Sequence, residues 1–179
     1  MKYKATIGLI IVNIIIFIVT LGGNLFVENL GNFWGYTFSN GEWWRLLTSM
    51  FVHGGFSHIL CNSMTLLQLG PPVETTYGSF KFVLLYILCG LGGGLGSAGI
   101  NMLLSRSIIS VGASGAICGL LGLIVADIKG KKKGLIINII VALIPILYIG
   151  IGVGNVDNLA HFAGFITGYI LGRLFSPKW

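Results

Sequence analysis

Charged side chains are scarce in this 179-residue sequence: Asp, Glu, Lys and Arg together make up 9% of it, whereas hydrophobic residues make up 55%. An average soluble domain has about 25% charged residues, so the composition argues against an ordinary soluble enzyme or binding module. Apolar stretches separated by charged or Gly/Pro-rich breaks instead predict one compact, all-α, polytopic membrane bundle. We expect a single domain over residues 1–179.

Acidic residues are rarer still, with five Asp and Glu against eleven Lys and Arg. The only two aspartates, Asp127 and Asp157, fall on opposite sides of the membrane in the topology derived below, which excludes an aspartyl-protease pair. The His-Glu-x-x-His motif of zinc hydrolases is absent, so we expect neither a metal nor another cofactor. The three cysteines fall in predicted spans and are interpreted as small apolar filler.

Six predominantly apolar stretches have, for the most part, the length needed to cross a bilayer. The second is short and polar, because His58 and Asn62 lie within it. The first follows Lys2 and Lys4, but no small-residue cleavage site comes after it, so it is interpreted as a span rather than a signal peptide. The predicted spans are residues 5–23, 56–69, 80–104, 108–128, 134–152 and 158–175.

The distribution of basic residues predicts the orientation of these spans. With the N-terminus in the cytoplasm, nine of the eleven Lys and Arg residues lie on the inner side, and only Arg45 and Arg106 lie outside. We therefore expect a multi-pass protein of the cell membrane with both termini cytoplasmic. The lysines between Lys129 and Lys133 then favour contact with lipid headgroups, and we expect no nucleic-acid partner.

The external segment 22–55 is rich in Gly, Asn and aromatic residues, which argues against a further span. Its tryptophans, Trp34, Trp43 and Trp44, suit the boundary between lipid and water. We expect a loop that is partly inserted in the membrane interface. Anchoring of the protein and lateral binding of another membrane helix both remain open as its use.

Polar side chains inside the spans point to a functional site, since they are costly to desolvate in lipid and usually face protein or a water-filled cavity. Ser114, His58, Asn62 and His161 come from three different spans but lie at one depth, near the outer surface. If the small-residue strips that follow Ser114 and His161 face each other, the two side chains come within hydrogen-bond reach. The strips are Gly115, Gly119, Gly122 and Ala126 on one span and Gly164, Gly168 and Gly172 on the other.

These residue types suit nucleophilic catalysis. A serine hydroxyl becomes a good nucleophile when a base takes its proton, and a neutral imidazole does so at ordinary pH, which makes His161 the candidate base for Ser114. His58 and Asn62, one helical turn apart, are candidates to donate hydrogen bonds to the oxyanion of a tetrahedral intermediate. Asp157 or Asn158 is interpreted as the cap of the following helix, and Asp157 as a third catalytic member is the alternative.

The motifs around these residues resemble those of the rhomboid family of intramembrane serine proteases, from the first span to the last. They are Trp44-Arg45, the stretch from His53 to Asn62, Gly112-Ala113-Ser114-Gly115, and the stretch from Ala160 to Gly168. The resemblance implies a six-helix membrane bundle, a catalytic dyad of Ser114 and His161, and an oxyanion site with His58 and Asn62. It also implies transmembrane segments of other proteins as substrates, cleaved near the outer side of the bilayer.

The same resemblance implies scaffold roles for Trp44, Arg45 and Glu74. The sequence departs from the family pattern at Cys118, where many members place a tyrosine whose ring packs against the catalytic histidine. Two other functions remain open: a catalytically silent relative that binds transmembrane clients, and a channel or transporter lined by the Gly-rich third span. The presence of both dyad residues disfavours the first, and the clustering of polar residues on one side of the membrane disfavours the second.

Overall fold

A computed structural model of the protein describes residues 3–20, 24–126 and 157–175. Within these ranges the fold is an all-α bundle, as predicted, and its extended backbone pairing is limited to an isolated antiparallel bridge between Asn32 and Ser110. A π-helical turn covers Gly35–Ser39. The α-helices are α1 Lys4–Thr20, α2 Asn24–Leu30, α3 Arg45–Thr48, α4 Phe56–Tyr77, α5 Ser79–Leu103, α6 Ser114–Ala126 and α7 Asn158–Phe175.

Helix α6 lies at the centre of the bundle. Every residue from Gly115 to Ile124 is buried, which agrees with a sequence that is apolar on all sides of the helix. Helices α4, α5 and α7 pack around it. Ser114 is the first residue of this helix, so a thoroughly buried element supports it.

A buried glutamate joins α1 to α4. The Glu74 carboxylate, 4% exposed, accepts hydrogen bonds from the backbone amides of Ala5 and Thr6 at 3.0 and 2.9 Å and from the Thr6 hydroxyl at 2.7 Å. The Ser79 hydroxyl, at the start of α5, donates to the same carboxylate at 2.6 Å. A carboxylate is favourable at a helix N-terminus, because the first amides lack partners within the helix. These bonds suit the scaffold role expected of Glu74.

The segment 22–55 contains short helices and, in its described part, none long enough to span a membrane. Arg45 holds it together. Its guanidinium donates to the backbone carbonyls of Glu28 at 2.7 Å and Gly31 at 3.1 Å, and to the Glu42 carboxylate at 2.5 Å. The bond from Arg45 lowers the pKa of Glu42. Arg45 therefore acts as scaffold for this loop.

Aromatic side chains of the same segment are partly exposed. Trp43 and Trp44 are 54% and 48% exposed, and the Arg45 guanidinium carbon lies 4.8 Å from the centre of the Trp44 ring and 4.4 Å from that of Tyr36. Aromatic rings with one polar neighbour suit the boundary between lipid headgroups and water.

The start of the fourth predicted span is wrong by six residues. The sequence predicts a span from residue 108, but α6 begins at Ser114. Two features of the preceding segment prevent a helix: Ser110 pairs with Asn32, and Gly112 has a φ of 108°, a left-handed conformation that an α-helix does not allow.

The second predicted span ends too early. It stops at residue 69, but α4 continues through Pro71 and Pro72 to Tyr77. The prolines weaken the helix locally, and the bonds that Glu74 makes to α1 hold the last turns in place. The sixth predicted span, 158–175, coincides with α7. The fifth, 134–152, lies outside the described residues.

Within the described ranges, Ser79–Leu103 is the helix that has both the length and the hydropathy of a membrane crossing, at 25 residues. Lys4–Thr20 and Ser114–Ala126 are apolar but shorter. Many large hydrophobic side chains on the outer faces of the bundle are exposed, among them Ile18, Phe80 and Phe162.

Candidate active site

Ser114 and His161 are in direct contact. The Ser114 Oγ lies 2.7 Å from the Nε2 of the His161 ring, which is the length of a good hydrogen bond to a hydroxyl. Ser114 opens α6, and His161 lies in the first turn of α7. The hydroxyl donates to Nε2 when the ring carries its proton on Nδ1. This pair is the geometry that general-base activation of a serine requires.

The close approach of α6 and α7 produces this contact. A Cβ built on Gly164 would lie 2.1 Å from the carbonyl oxygen of Gly115, and one on Gly168 would lie 1.9 Å from that of Gly119. Neither position has room for a side chain, so the two helix backbones touch. The two small-residue strips therefore face each other, which is the condition under which the sequence brings Ser114 and His161 within hydrogen-bond reach.

Helix α4 brings two further polar side chains to the segment just before Ser114. A Cβ built on Gly112 would lie 2.5 Å from the Nε2 of His58 and 3.3 Å from the Nδ2 of Asn62. Asn62 is 3% exposed, and its Nδ2 has no hydrogen-bond partner within the described ranges. Because Gly112 has no side chain, a small space bordered by these nitrogens stays open. The structure therefore brings the four predicted site residues to one end of α6.

His53, to which the sequence assigned no role, supports the same segment. Its Nε2 accepts the backbone N–H of Ala113 at 3.5 Å, and its Nδ1 lies 3.2 Å from the carbonyl of Phe51. The ring lies edge-on to His58, with ring centres 5.1 Å apart. Burial lowers the pKa of His53 to about 3. The ring is therefore neutral at physiological pH, with its proton on Nδ1.

Asp157 precedes α7 and caps it. Its Oδ1 accepts the backbone N–H of Ala160 at 3.1 Å, three residues on, which is the usual bond of an N-cap residue. Its Oδ2 accepts the hydroxyls of Ser97, on α5, and Ser110, on the segment before α6. The predicted cap is confirmed, and the two hydroxyl partners are contacts that the sequence did not suggest.

The remaining candidate groups are cysteines. Cys118 is buried in α6, 5% exposed, and Cys61 and Cys89 are also free thiols. Across the described residues, no group of three or more His, Cys, Asp or Glu side chains is arranged to hold a metal ion.

The fold and the site define the class of protein: an apolar helical bundle in which a serine at the start of the central helix touches a histidine on the neighbouring helix. Residues 40–178 match the family model described as Rhomboid domain. The chain therefore belongs to the rhomboid family, whose members are multi-pass membrane proteins and include bacterial proteases.

Several curated relatives match most of the chain. RHOMBOID-like protein 4 of Arabidopsis thaliana is 43% identical over 136 residues, which is 73% of this chain and 34% of that protein. RHOMBOID-like protein 5 of the same plant is 37% identical over 151 residues, 78% of this chain and 47% of that protein. Rhomboid protease GluP of Bacillus subtilis strain 168 is 38% identical over 135 residues, 73% of this chain and 26% of that protein. The chain thus spans less than half the length of these relatives.

Proposed function

We propose that this chain is a serine endopeptidase that cleaves transmembrane segments of other membrane proteins near the outer side of the bilayer. The 2.7 Å contact between Ser114 Oγ and His161 Nε2 carries the proposal. Membership of the rhomboid family supports it, as does the likeness to a relative named a rhomboid protease.

In the proposed reaction Ser114 is the nucleophile and His161 is the base. As the Oγ attacks the carbonyl carbon of the scissile peptide, Nε2 takes the hydroxyl proton and the carbonyl oxygen becomes an oxyanion. The imidazolium then gives that proton to the leaving amine as the C–N bond breaks, which leaves an acyl ester on Ser114. Water attacks the ester while His161 takes its proton, and collapse of this second intermediate returns a proton to Ser114 as the acid leaves.

The oxyanion is assigned to the space in front of Gly112. Asn62 Nδ2, which lacks a partner among the residues that the structure describes, and His58 Nε2 border this space. The backbone N–H of Ser114, at the start of α6, is a third donor, because the first amides of a helix have no partner within it. Loss of one such donor typically lowers kcat by about a hundred- to a thousandfold.

The proposed topology has six membrane spans with both termini in the cytoplasm of the cell. The site then lies below the outer surface, where water must reach Ser114 and the substrate helix must unwind to expose a carbonyl. Segments that Gly or Pro weakens near their outer end are the expected substrates, because these residues destabilise a helix. The lipid bilayer is the other expected partner.

The test is cleavage of a model transmembrane substrate in detergent and in liposomes, with a chelator present throughout. Wild type should cleave the substrate. The kcat of Ser114→Ala and of His161→Ala should be lower by roughly a thousandfold or more, as in other serine proteases that lose their nucleophile or base. Ser57→Ala is the matched control, because Ser57 is an exposed serine at the same end of the bundle. Equal cleavage by wild type and both dyad variants would discard the assignment. A folded wild type that binds substrate but neither cuts it nor reacts with a serine-directed probe would identify a silent binder.

A further inference from the structure

A polar cluster that the chemistry above does not use lies between α5, the segment before α6 and the start of α7, and all its members except the half-buried Asp157 are buried. We call Asp157, Ser97, Ser110 and Asn101 the Asp157 cluster. Ser97 and Asn101 are each 1% exposed, and Ser110 is 9% exposed. Buried polar groups of this kind are costly unless they are hydrogen-bonded, so a bonded cluster specifies one arrangement of the elements that carry it.

The two carboxylate oxygens of Asp157 hold different parts of the molecule. Oδ1 accepts the Ala160 amide at 3.1 Å and so holds α7. Oδ2 accepts both serine hydroxyls. The Ser97 oxygen accepts the Asn101 Nδ2 at 3.0 Å, so its own hydrogen is available for the carboxylate. A carboxylate accepts hydrogen bonds on both of its oxygens. An asparagine amide in its place would turn its NH₂ group towards one of these two sets of donors and could not accept their hydrogen bonds.

Ser110 extends this set of bonds to the segment 22–55. Its backbone N–H donates to the Asn32 carbonyl at 2.7 Å, and its carbonyl accepts the Asn32 N–H at 2.9 Å. The Asn32 side chain in turn donates to the carbonyl of Gly94 at 2.9 Å and accepts the Thr37 hydroxyl at 2.7 Å. The segment 22–55 therefore holds the backbone of Ser110 in place, and the Ser110 hydroxyl is left to bond Asp157.

Two residues of the Asp157 cluster precede the two dyad residues by the same number of positions. Ser110 is four residues before Ser114, and Asp157 is four residues before His161. The Ser110–Asp157 bond thus joins the two segments that lead into α6 and α7, at the end of the bundle where the dyad forms. The glycine contacts limit how closely the two helix axes approach, whereas a directional hydrogen bond fixes the position of one helix along the other.

We propose that Asp157 is a positioning residue: its bonds to Ser97 and Ser110 set the register of α7 against α6 and thereby hold the His161 ring on the Ser114 hydroxyl. The inference rests on the proposed function, since its effect is read through Ser114. This positioning role differs from helix capping, because a cap would stabilise α7 without bonds to Ser97 and Ser110.

The first experiment separates positioning from capping. Asp157→Ala should lower kcat by about ten- to a hundredfold, the scale of a small misplacement of reacting groups, with KM within about twofold. The rate at which a serine-directed probe labels Ser114 should fall by the same factor. Asn is as good an N-cap as Asp, so capping alone would give Asp157→Asn the kcat of wild type; positioning gives a value between wild type and Asp157→Ala. Asn158→Ala, at the exposed neighbouring residue, is the matched control.

The second experiment tests the bond itself. Ser110→Ala keeps the backbone pairing with Asn32, so it should fold, and it should lower kcat with little change in KM. If the two side chains act through one bond, the double variant Asp157→Ala/Ser110→Ala should be no slower than Asp157→Ala. If Asp157→Ala does not fold, the kcat of Ser110→Ala decides alone.

Either of two results overturns the inference: a wild-type kcat in Ser110→Ala, or losses that multiply in the double variant. Both results count against the inference only if Ser114→Ala is inactive in the same assay. Cleavage retained in Ser114→Ala would instead overturn the proposed function, so the two failures are distinguishable.

Discussion

Gly112 and His53 flank the start of α6 and shape the site through the backbone. The φ of Gly112 is 108°, and its N–H donates to the Ser49 carbonyl at 2.8 Å. The next amide, that of Ala113, donates to the His53 ring. Two successive amides are thus held by groups outside α6, and this orients the residue that follows them, Ser114.

Replacing Gly112 by alanine should abolish most of the activity. A Cβ there would lie 2.5 Å from the His58 Nε2 and would fill the space proposed for the oxyanion, so we expect a loss of about a hundredfold or more in kcat. Gly41→Ala is the control for backbone strain, because Gly41 also has a positive φ, 73°, but nothing within 4 Å of its Cβ position. Normal cleavage by folded Gly112→Ala would place the oxyanion elsewhere.

His53 should make stability depend on pH. Its folded-state pKa of about 3 lies below the ordinary value of 6.5, so above pH 6.5 neither state is protonated and stability is greatest. Between these values the unfolded state binds a proton that the folded state does not. Stability should therefore fall on acidification, by up to about 1.4 kcal/mol per pH unit from this residue.

The comparison for His53 is with His53→Gln, which has no titrating ring. Unfolding in detergent would be followed at several pH values between 7 and 4. The free energy of unfolding of His53→Gln should fall less steeply with acid than that of wild type. Parallel curves would show that His53 is protonated in the folded state as readily as in the unfolded one.

At the scale of helices, the α6–α7 pair depends on glycine. A Cβ on Gly168 would meet three backbone atoms of Gly119, the carbonyl oxygen at 1.9 Å, and a backbone cannot rotate away as a side chain can. Gly168→Ala should force the helices apart, with a loss of about 1–3 kcal/mol in stability and a marked loss of kcat. Thermal unfolding and cleavage in detergent are the measurements.

Gly8→Ala is the matched control for Gly168→Ala, since nothing lies within 4 Å of a Cβ at Gly8 in α1. That variant should be at least as stable as wild type, because alanine favours helix more than glycine does. Equal behaviour of the two variants would mean that α6 and α7 tolerate a wider separation than the contacts indicate.

The approximate positions of most described helices could be predicted from the sequence, because apolar runs and small-residue strips are local signals. The contact between Ser114 and His161 was expected only on the condition that these strips face each other, and in the structure they do. The start of α6 was not predicted in this way: Gly112 is a local feature of the sequence, but the pairing of Ser110 with Asn32 joins residues that are far apart along the chain. The partners of Asp157 were missed for the same reason: Ser97 and Ser110 are 60 and 47 residues away from it. A weak signal did exist, since Ser97 and Asn101 are polar residues one turn apart in an apolar helix.

At the scale of the whole molecule, two acidic side chains hold the two ends of the bundle. Asp157 lies at the end that carries Ser114. Glu74 is 16 residues after His58 on α4, roughly 24 Å along the helix, and joins α1, α4 and α5 at the other end.

Glu74→Gln should therefore lower stability without altering the chemistry. An amide NH₂ would face a backbone N–H in place of one carboxylate oxygen, and lost bonds to a charged group cost about 1.5–3 kcal/mol. Thermal unfolding in detergent should show this loss, while kcat per folded molecule stays near that of wild type. Glu28→Gln, at an exposed acid, is the control. A selective loss of kcat in Glu74→Gln would show that this end of the bundle reaches the site.

The separation of Ser114 and His161 along the chain, 47 residues, also governs when the site can exist. A ribosome that adds about 5 to 20 residues per second needs roughly 2 to 10 seconds to synthesise the stretch between them. During that interval the nascent chain carries the Ser114 hydroxyl but not His161, the proposed base. Under the proposed function the unfinished chain is therefore inactive, and the docking of α7 on α6, glycine against glycine, completes the pair.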